Sequence, residues 1–457
     1  MLVASNAKIS IGKGNETRLV HILIQGETIH KIVPATDPIP PNDEVIDASG
    51  LLVLPGAIDP HVHFNTPGYT FHEDFTHGSM SAAAGGVTCV IDMPDTSIPP
   101  VTDQESFSTK LKVISQMSVI DFGLWGGVSG NALRESGWHN NMRVLKEEGA
   151  VGLKCYLLSS MHTFQHLMPL ELVDVMGRAA ELGMLVGLHA EDRDVVQRRT
   201  EKIMAQGRQD IHAYYESRRD PAESDGMKQG ATIAKETACS LHIVHVGSAA
   251  GADFVTEVRK DGADITMETC AHYLAFSHKD MEERGAILKT SPVIKTKDDS
   301  KRLWQHLSEG NIDFLASDHA PCAPDEKETG NVWTDYSGIS GTELVLPYAL
   351  SEGFAKGRID LSRLVNITST NAAKRFGLYP RKGALEVGSD ADLVFVDSDR
   401  KWTVRGADFK SKGKFTPFEG VEFTGKVVRT MCRGVTVFEE GRGILAKPGF
   451  GQFIRRD

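Results

Sequence analysis

Residues 54–63 read LPGAIDPHVH, a short apolar run that closes on His61 and His63. Seven runs of similar length follow, at 88–94, 119–127, 149–158, 183–190, 240–247, 263–272 and 312–318. Between them stand amphipathic segments: QESFSTKLKVISQM (104–117), LELVDVMGRAAEL (170–182), AGADFVTEVRKDG (250–262) and DDSKRLWQHLSEG (298–310). Several place apolar residues at i, i+3 and i+4 and finish near a glycine, the pattern of helices with C-terminal caps. Short apolar runs alternating with amphipathic helices are the signature of repeated β-α units on a parallel sheet. Eight such units predict an α/β fold, a (β/α)₈ TIM-like barrel.

Working outward from this block, both chain ends turn β-rich. HILIQGETIHKIVP (21–34) and EVIDASGLLVLPG (44–56) precede it; ALEVGSDADLVFVDSD (384–399), KWTVRG (401–406) and VVRTMCRGVTVFEEGR (427–442) follow the helix-like TSTNAAKRFGL (368–378). Alternating strands broken by Gly turns at both ends predict one small β-sandwich domain built from residues 1–53 and 377–457, with the barrel over 54–376. The 195–230 stretch, rich in Arg, Asp and Glu, reads as a solvated insertion with room for helices. A barrel with such a domain accounts for 457 residues better than three domains of roughly 150 in sequence.

Composition narrows the function classes. With 40% hydrophobic and 24% charged residues the chain is an ordinary globular one. Its 61 acidic against 50 basic residues give a net charge of -11, which disfavours nucleic acid or an anionic membrane as partner. A start without a basic-then-apolar leader, and the absence of an apolar run near the roughly 18 residues a membrane span needs, predict a cytoplasmic protein. The six cysteines, with no C-x-x-C pair, read as buried thiols.

In a β/α barrel, side chains at the C-terminal strand ends share one mouth. His61 and His63, two apart on a strand, face the same way and are able to hold one cation. An H-x-H pair alone is equally compatible with a structural role. In the fourth run, GLKCYL puts Lys154 among apolar neighbours, where an ammonium is costly unless its head reaches the surface. The fifth ends in His189, the sixth holds His242 and His245, and the eighth ends in Asp318 and His319. His245 lies nearer the strand end, so it is taken as the candidate ligand and His242 is expected to point toward the outer helices. His61, His63, Lys154, His189, His245 and Asp318 thus sit at five strand ends, with the donor types and number that two zinc-like cations require.

In order and spacing, PGAIDPHVHFNTPG, AAAGGVTCVIDMP, GLKCYL, HAED, HIVHVGS, ETCAHYL, ASDHAPC and ADLVFVD resemble the amidohydrolase superfamily, in particular its cyclic-amide branch of dihydroorotases, allantoinases, hydantoinases and dihydropyrimidinases. The resemblance spans nearly the whole chain. It implies two divalent metal ions, with zinc the expected element, bridged by Lys154 carboxylated on its side-chain nitrogen. His61, His63 and Asp318 would hold one ion, and His189 and His245 the other. It further implies a metal-bridging hydroxide as nucleophile, with Asp318 as general base and then acid. A homodimer or homotetramer is implied as well. A catalytically dead scaffold relative is the competing class, disfavoured because all six candidate ligands are present.

The choice of ring rests on departures from the dihydroorotase pattern. Where dihydroorotases carry an arginine two residues after H-x-H to grip a carboxylate, this chain has Asn65. Asp95, Ser291-Pro292-Val293 and Cys322 replace three further elements of that binding set. Losing a charge-assisted hydrogen bond of about 1.5–3 kcal/mol weakens anion binding by roughly one to two decades, so a neutral ring is expected. Asn65, GLWGGVSGN (123–131), ETCAHY (268–273), Ser291-Pro292, SDHAPC (317–322) and the GQFIRRD tail resemble allantoinases most. Thr66 and the Asp95-Thr96 pair depart from that pattern. Hydantoinase, dihydropyrimidinase and dihydroorotase activities are the alternatives, and Ser159, where dihydropyrimidinases carry Tyr, counts against that group. Asn65, Asp95, His272, Ser291 and Cys322 are the candidate substrate contacts. His272 is equally readable as a rim residue, Asp95 as a strand-end cap, and Cys322 as a packing thiol.

Overall fold

The computed structural model describes residues 1–39, 44–135 and 137–456. Eight parallel strand positions run through it: Ala57–Val62, Val87–Asp92, Asp121–Leu124 (resuming at Gly126–Gly127), Leu153–Tyr156, Val186–His189, Leu241–Ile243, Ile265–Cys270 and Phe314–Ala316. They pair in chain order, with registers such as Asp92↔Leu124, Lys154↔Gly187, His242↔Thr266 and Glu268↔Phe314. The ladder is not one closed ring as expected. It forms a three-stranded and a six-stranded arc.

The break lies at Trp125. Its backbone N–H donates to Asp92 O at 3.0 Å, while Gly126 N–H has already turned to Gly152 O. The indole is fully buried, donates to Pro60 O at 3.1 Å and meets Phe376 edge-on. It packs so closely over the neighbouring strands that a Cβ at Gly152 or Gly187 would stand 2.7 or 2.8 Å from its ring, which is why both positions are glycine. At the other seam Val62 bridges His319, and His63 N–H donates to His319 O at 2.9 Å.

The amphipathic segments form helices at Gln104–Ile114, Pro169–Leu182, Ala249–Lys260 and Lys297–Glu309. Asp103 and Thr296 close capping boxes with Ser106 and Asp299, and left-handed Gly183 and Gly310 end two of them. The 195–230 stretch is helical, as its reading allowed, but less solvated than expected. It folds into helices Arg193–Met204, Ile211–Arg218 and Ala222–Thr237, and it buries Tyr214, Ser217, Glu223 and Met227. Its charges are not mere solvation: Lys295 Nζ lies 2.7 Å from the buried Glu223 carboxylate. Charge density in the sequence does not distinguish solvated from paired groups.

The chain ends pair with each other through one continuous hydrogen-bonded sheet. Strands from both termini form one nine-stranded sheet, in which Leu52–Pro55 runs antiparallel to Leu393–Val396 and joins the N-terminal strands, through Leu393–Thr403, to Glu422–Cys432. The expected sandwich is therefore a single sheet in its hydrogen bonding. The run taken as one strand from residue 54 divides at Gly56, where a Cβ would fall 2.0 Å from Thr88 Oγ1. Beyond the sheet the tail returns to the parallel strands, with Ile454 N–H donating to Phe122 O at 2.8 Å. Among the described residues, no helix is long and apolar enough to cross a membrane.

Candidate active site

Strand alternation carries His61 and His63 to one side, and their Nε2 atoms lie 3.2 and 3.3 Å from Asp318 Oδ1. These three are a buried group whose ligand atoms fall within 4.8 Å of one another. His189 Nδ1 stands 2.9 Å from His245 Nε2, and the His245 ring centroid is 5.3 Å from that of His61. His61, His63, His189, His245 and Asp318 border one pocket of about 500 Å³. Lys154 is completely buried, with Nζ 4.8 Å from the centre of the Tyr156 ring.

Two of these side chains reach the site through unusual backbone. His245 and Asp318 have φ of 41° and 49°, the left-handed region that non-glycine residues seldom occupy. For His245 the reason is positional. His242, three residues earlier, already faces the interior, so regular alternation would send His245 the other way; the left-handed turn brings it back. The expectation that His242 points to the outer helices is thus overturned. Its ring stacks on Phe314 at 5.0 Å, and its nitrogens meet Thr266 Oγ1 and Glu268 Oε2 at 2.9 and 3.1 Å.

Carboxylates behind the histidines fix their orientation. Glu268 Oε1 sits 2.5 Å from His61 Nδ1 and also accepts from the His245 backbone N–H at 3.2 Å. The proton on His61 therefore resides on Nδ1, and Nε2 is left as a lone pair toward Asp318. Glu191 plays the same part for His189, with Oε2 2.9 Å from Nε2. Burial raises both carboxyls, yet Arg218 and His189 hold Glu191 at about 2, and His61 and His242 hold Glu268 at about 2. Burial likewise pushes the Asp318 carboxyl up, and His61, His63 and His245 outweigh it, leaving it well below the usual range. On Lys154 burial dominates and lowers the amine, against the pull of Asp95 and Asp318.

The candidate substrate contacts divide. Asp95 and Ser291 line the pocket, Asp95 with Oδ2 3.6 Å from His63 Nδ1 and Ser291 with Oγ 3.1 Å from Glu191 Oε2. Asn65, His272 and Cys322 are buried but are not part of the pocket wall. Asn65 adopts a φ of 55° with its amide nitrogen unpartnered, His272 is lowered by burial to about 4, and burial raises the Cys322 thiol to about 12.

Sequence reasoning passed over Glu191, Glu268, Tyr156, Arg218 and Lys289. Glu191 was signalled by its place two residues after His189, and Glu268 by a carboxylate inside an apolar strand. Arg218 had no such signal. From the helical insertion it places its guanidinium 2.5 Å from Glu191 Oε2 and donates to Ser291 Oγ. The pocket thus contains an arginine after all, one whose charge a buried carboxylate already answers.

His61 Nε2, His63 Nδ1, Lys154 Nζ and His245 Nδ1 are buried without a hydrogen-bond partner among the described residues. His61 Nε2 and His63 Nε2 on one carboxylate oxygen, the His189–His245 pair beside them and a buried, unpartnered amine are a donor set that fits divalent cations.

The sequence and the fold have close counterparts. The model of the amidohydrolase family matches residues 52–437. An allantoinase of Rubrobacter xylanophilus is 39% identical over 90% of this chain and 89% of its own, and an L-hydantoinase of Paenarthrobacter aurescens is 36% identical over 90% and 91%. The solved L-hydantoinase (dihydropyrimidinase) from Arthrobacter aurescens superposes with a TM-score of 0.93 at 33% identity, covering 100% of this chain and 99% of that one. The ladder of parallel strands, the histidines at their ends and the extent of these matches show that the chain belongs to the amidohydrolase family.

Proposed function

We propose that the protein hydrolyses the amide bond of a small neutral cyclic ureide, with allantoin opening to allantoate as the favoured reaction. The convergence of His61 and His63 Nε2 on Asp318, with Lys154 buried and unpartnered, carries this reading. His61, His63 and Asp318 would hold one divalent cation, zinc by donor type, and His189 and His245 a second, with Lys154 as a carbamate between them. When bound, such cations supply polarisation of a carbonyl and acidification of water from 15.7 toward about 7.

The chain's own groups do the rest. Asp318, the carboxylate at the pocket floor, takes the proton of the attacking water on Oδ1 and returns it to the departing ring nitrogen. Glu268 and Glu191 keep the His61 and His189 imidazoles in the tautomers that present lone pairs. Asp95 repels a carboxylate on the reacting ring, and the Glu191–Arg218 pair leaves no free guanidinium to attract one. Ser291 stands where its backbone is able to bind the ring imide.

Side-by-side hydrolysis of allantoin, dihydroorotate, dihydrouracil and hydantoin tests the assignment. Allantoin is expected to give the highest kcat/KM, and dihydroorotate as the best of the four would overturn it. Hydantoin as the best substrate is the second reading, favoured by the likeness to the solved L-hydantoinase.

A further inference from the structure

The pocket holds a cation that the hydrolytic machinery does not use. Lys289 lines the same pocket as the histidine cluster, and its side chain is buried. Nζ donates to the Asp335 backbone carbonyl and lies 4.9 Å from the centre of the Tyr214 ring, with Arg218 5.3 Å from the same centre. Arg218 is answered by Glu191; among the described residues no carboxylate pairs with Lys289 within ion-pair distance. Its backbone is held in place, since Lys289 O accepts from Gly338 N–H at 3.0 Å and from Lys327 Nζ at 3.1 Å.

An ammonium has three N–H donors, and only one of them is committed here. Burial, then the charge of Arg218, depresses this amine to about 8, as expected of a cation that lacks its counterpart. Trp333 and Tyr336 border the same pocket, whose volume of about 500 Å³ admits a substituted ring and not only water.

We infer that Lys289 is a specificity-determining residue that donates to an oxygen acceptor on the substituent of the substrate ring, an acceptor borne by a ureido or carboxylate group. This deepens the cyclic-ureide reading and rests on it. The ring itself is neutral where Asp95 meets it, and the acceptor lies on the branch that extends toward Lys289.

The test compares allantoin, hydantoin-5-propionate and unsubstituted hydantoin in the metal-loaded wild type, Lys289→Met, Lys289→Gln and Lys289→Arg. Gln keeps an N–H for the Asp335 carbonyl, and Arg keeps the charge. For Met and Gln, kcat/KM on the better acceptor-bearing substrate should fall about 10- to 100-fold through KM, with hydantoin turnover within about threefold and Arg restoring most of the loss. Which of the two substituted rings suffers more identifies the ureido or the carboxylate as the acceptor. Equal losses on all three substrates, or no loss on any, overturn the role of Lys289 alone. A wild type that opens none of these rings overturns the cyclic-ureide reading, and this inference with it.

Discussion

Replacing Glu268 by Gln isolates the contribution of the carboxylate that stands behind His61. The exchange is isosteric at a site 1% exposed, so packing is preserved and only charge and one acceptor change. The carboxylate serves His61 Nδ1 at 2.5 Å, His242 Nε2 at 3.1 Å and the His245 backbone N–H at 3.2 Å. A charge-assisted hydrogen bond is about twice as strong as a neutral one, so neutralising the acceptor costs roughly 1 kcal/mol for each of the two imidazole bonds. Their sum of about 2 kcal/mol corresponds to a loss of roughly 30-fold, within the range of about 10- to 100-fold for groups that orient metal ligands. His242 adapts by moving its proton to Nδ1, toward Thr266 Oγ1, and accepting from the new amide on Nε2. His61 has no such escape. The expected result is therefore a fall of about 30-fold in metal affinity, read by competition with a chelating dye, and a matching fall in kcat/KM, with the unfolding temperature changed by only a few degrees. Glu268→Ala, which strands three donors, should cost more on every readout. A Glu268→Gln protein within threefold of wild type in both metal affinity and kcat/KM would refute the orienting role.

Three further outcomes are expected. Elemental analysis of the purified protein should find about two divalent metals per chain, and exhaustive chelation should abolish activity until zinc is returned. Lys154→Ala should hold one ion or fewer and lose about a thousandfold or more in kcat, since it removes the group proposed to join the two sites. Acid should act through His272, whose folded value of about 4 lies below its ordinary 6.5 because it is buried. The neutral ring contributes stability that is fully present above pH 6.5 and is lost as pH falls through about 4. By linkage a depression of that size amounts to about 3 kcal/mol, so His272→Gln should gain on wild type by up to that amount in urea titrations between pH 6.5 and 4. A constant difference across that window would show that His272 is not buried as the neutral base.

The fold was legible because period and punctuation survive in the sequence. Eight apolar runs with capped amphipathic segments between them specify parallel β-α order without any knowledge of contacts, and the proposed ligands were legible because they stand at strand ends. Closure was not legible. Whether the ladder runs unbroken past residue 125 depends on how one indole packs over Gly152 and Gly187, a three-dimensional fit that no periodicity encodes. His242 and His245 show the same limit locally: alternation assigns directions correctly only while the backbone stays extended, and a single left-handed residue reverses the sense.

Charge was the least legible property, and it bears most on the choice of substrate. Asn65 in place of an arginine argued for a neutral ring, on the premise that a missing cation in one loop is missing from the pocket. The structure supplies cations from elsewhere, Arg218 from a helical insertion and Lys289 from the segment before Ser291, and they are not equivalent. Arg218 carries no net attraction for an anion, because Glu191 is buried against it and held ionised. Lys289 donates to the Asp335 carbonyl and lies over the Tyr214 ring, with no ion-pair partner among the described residues. A pocket in which Asp95 stands beside His63 while Lys289, with no ion-pair partner among the described residues, stands beside Tyr214 and the Asp335 carbonyl favours a neutral ring whose branch ends in an oxygen acceptor. An allantoin ureido group meets that description. A carboxylate fixed on the ring beside the scissile bond does not, because Asp95 would stand against it.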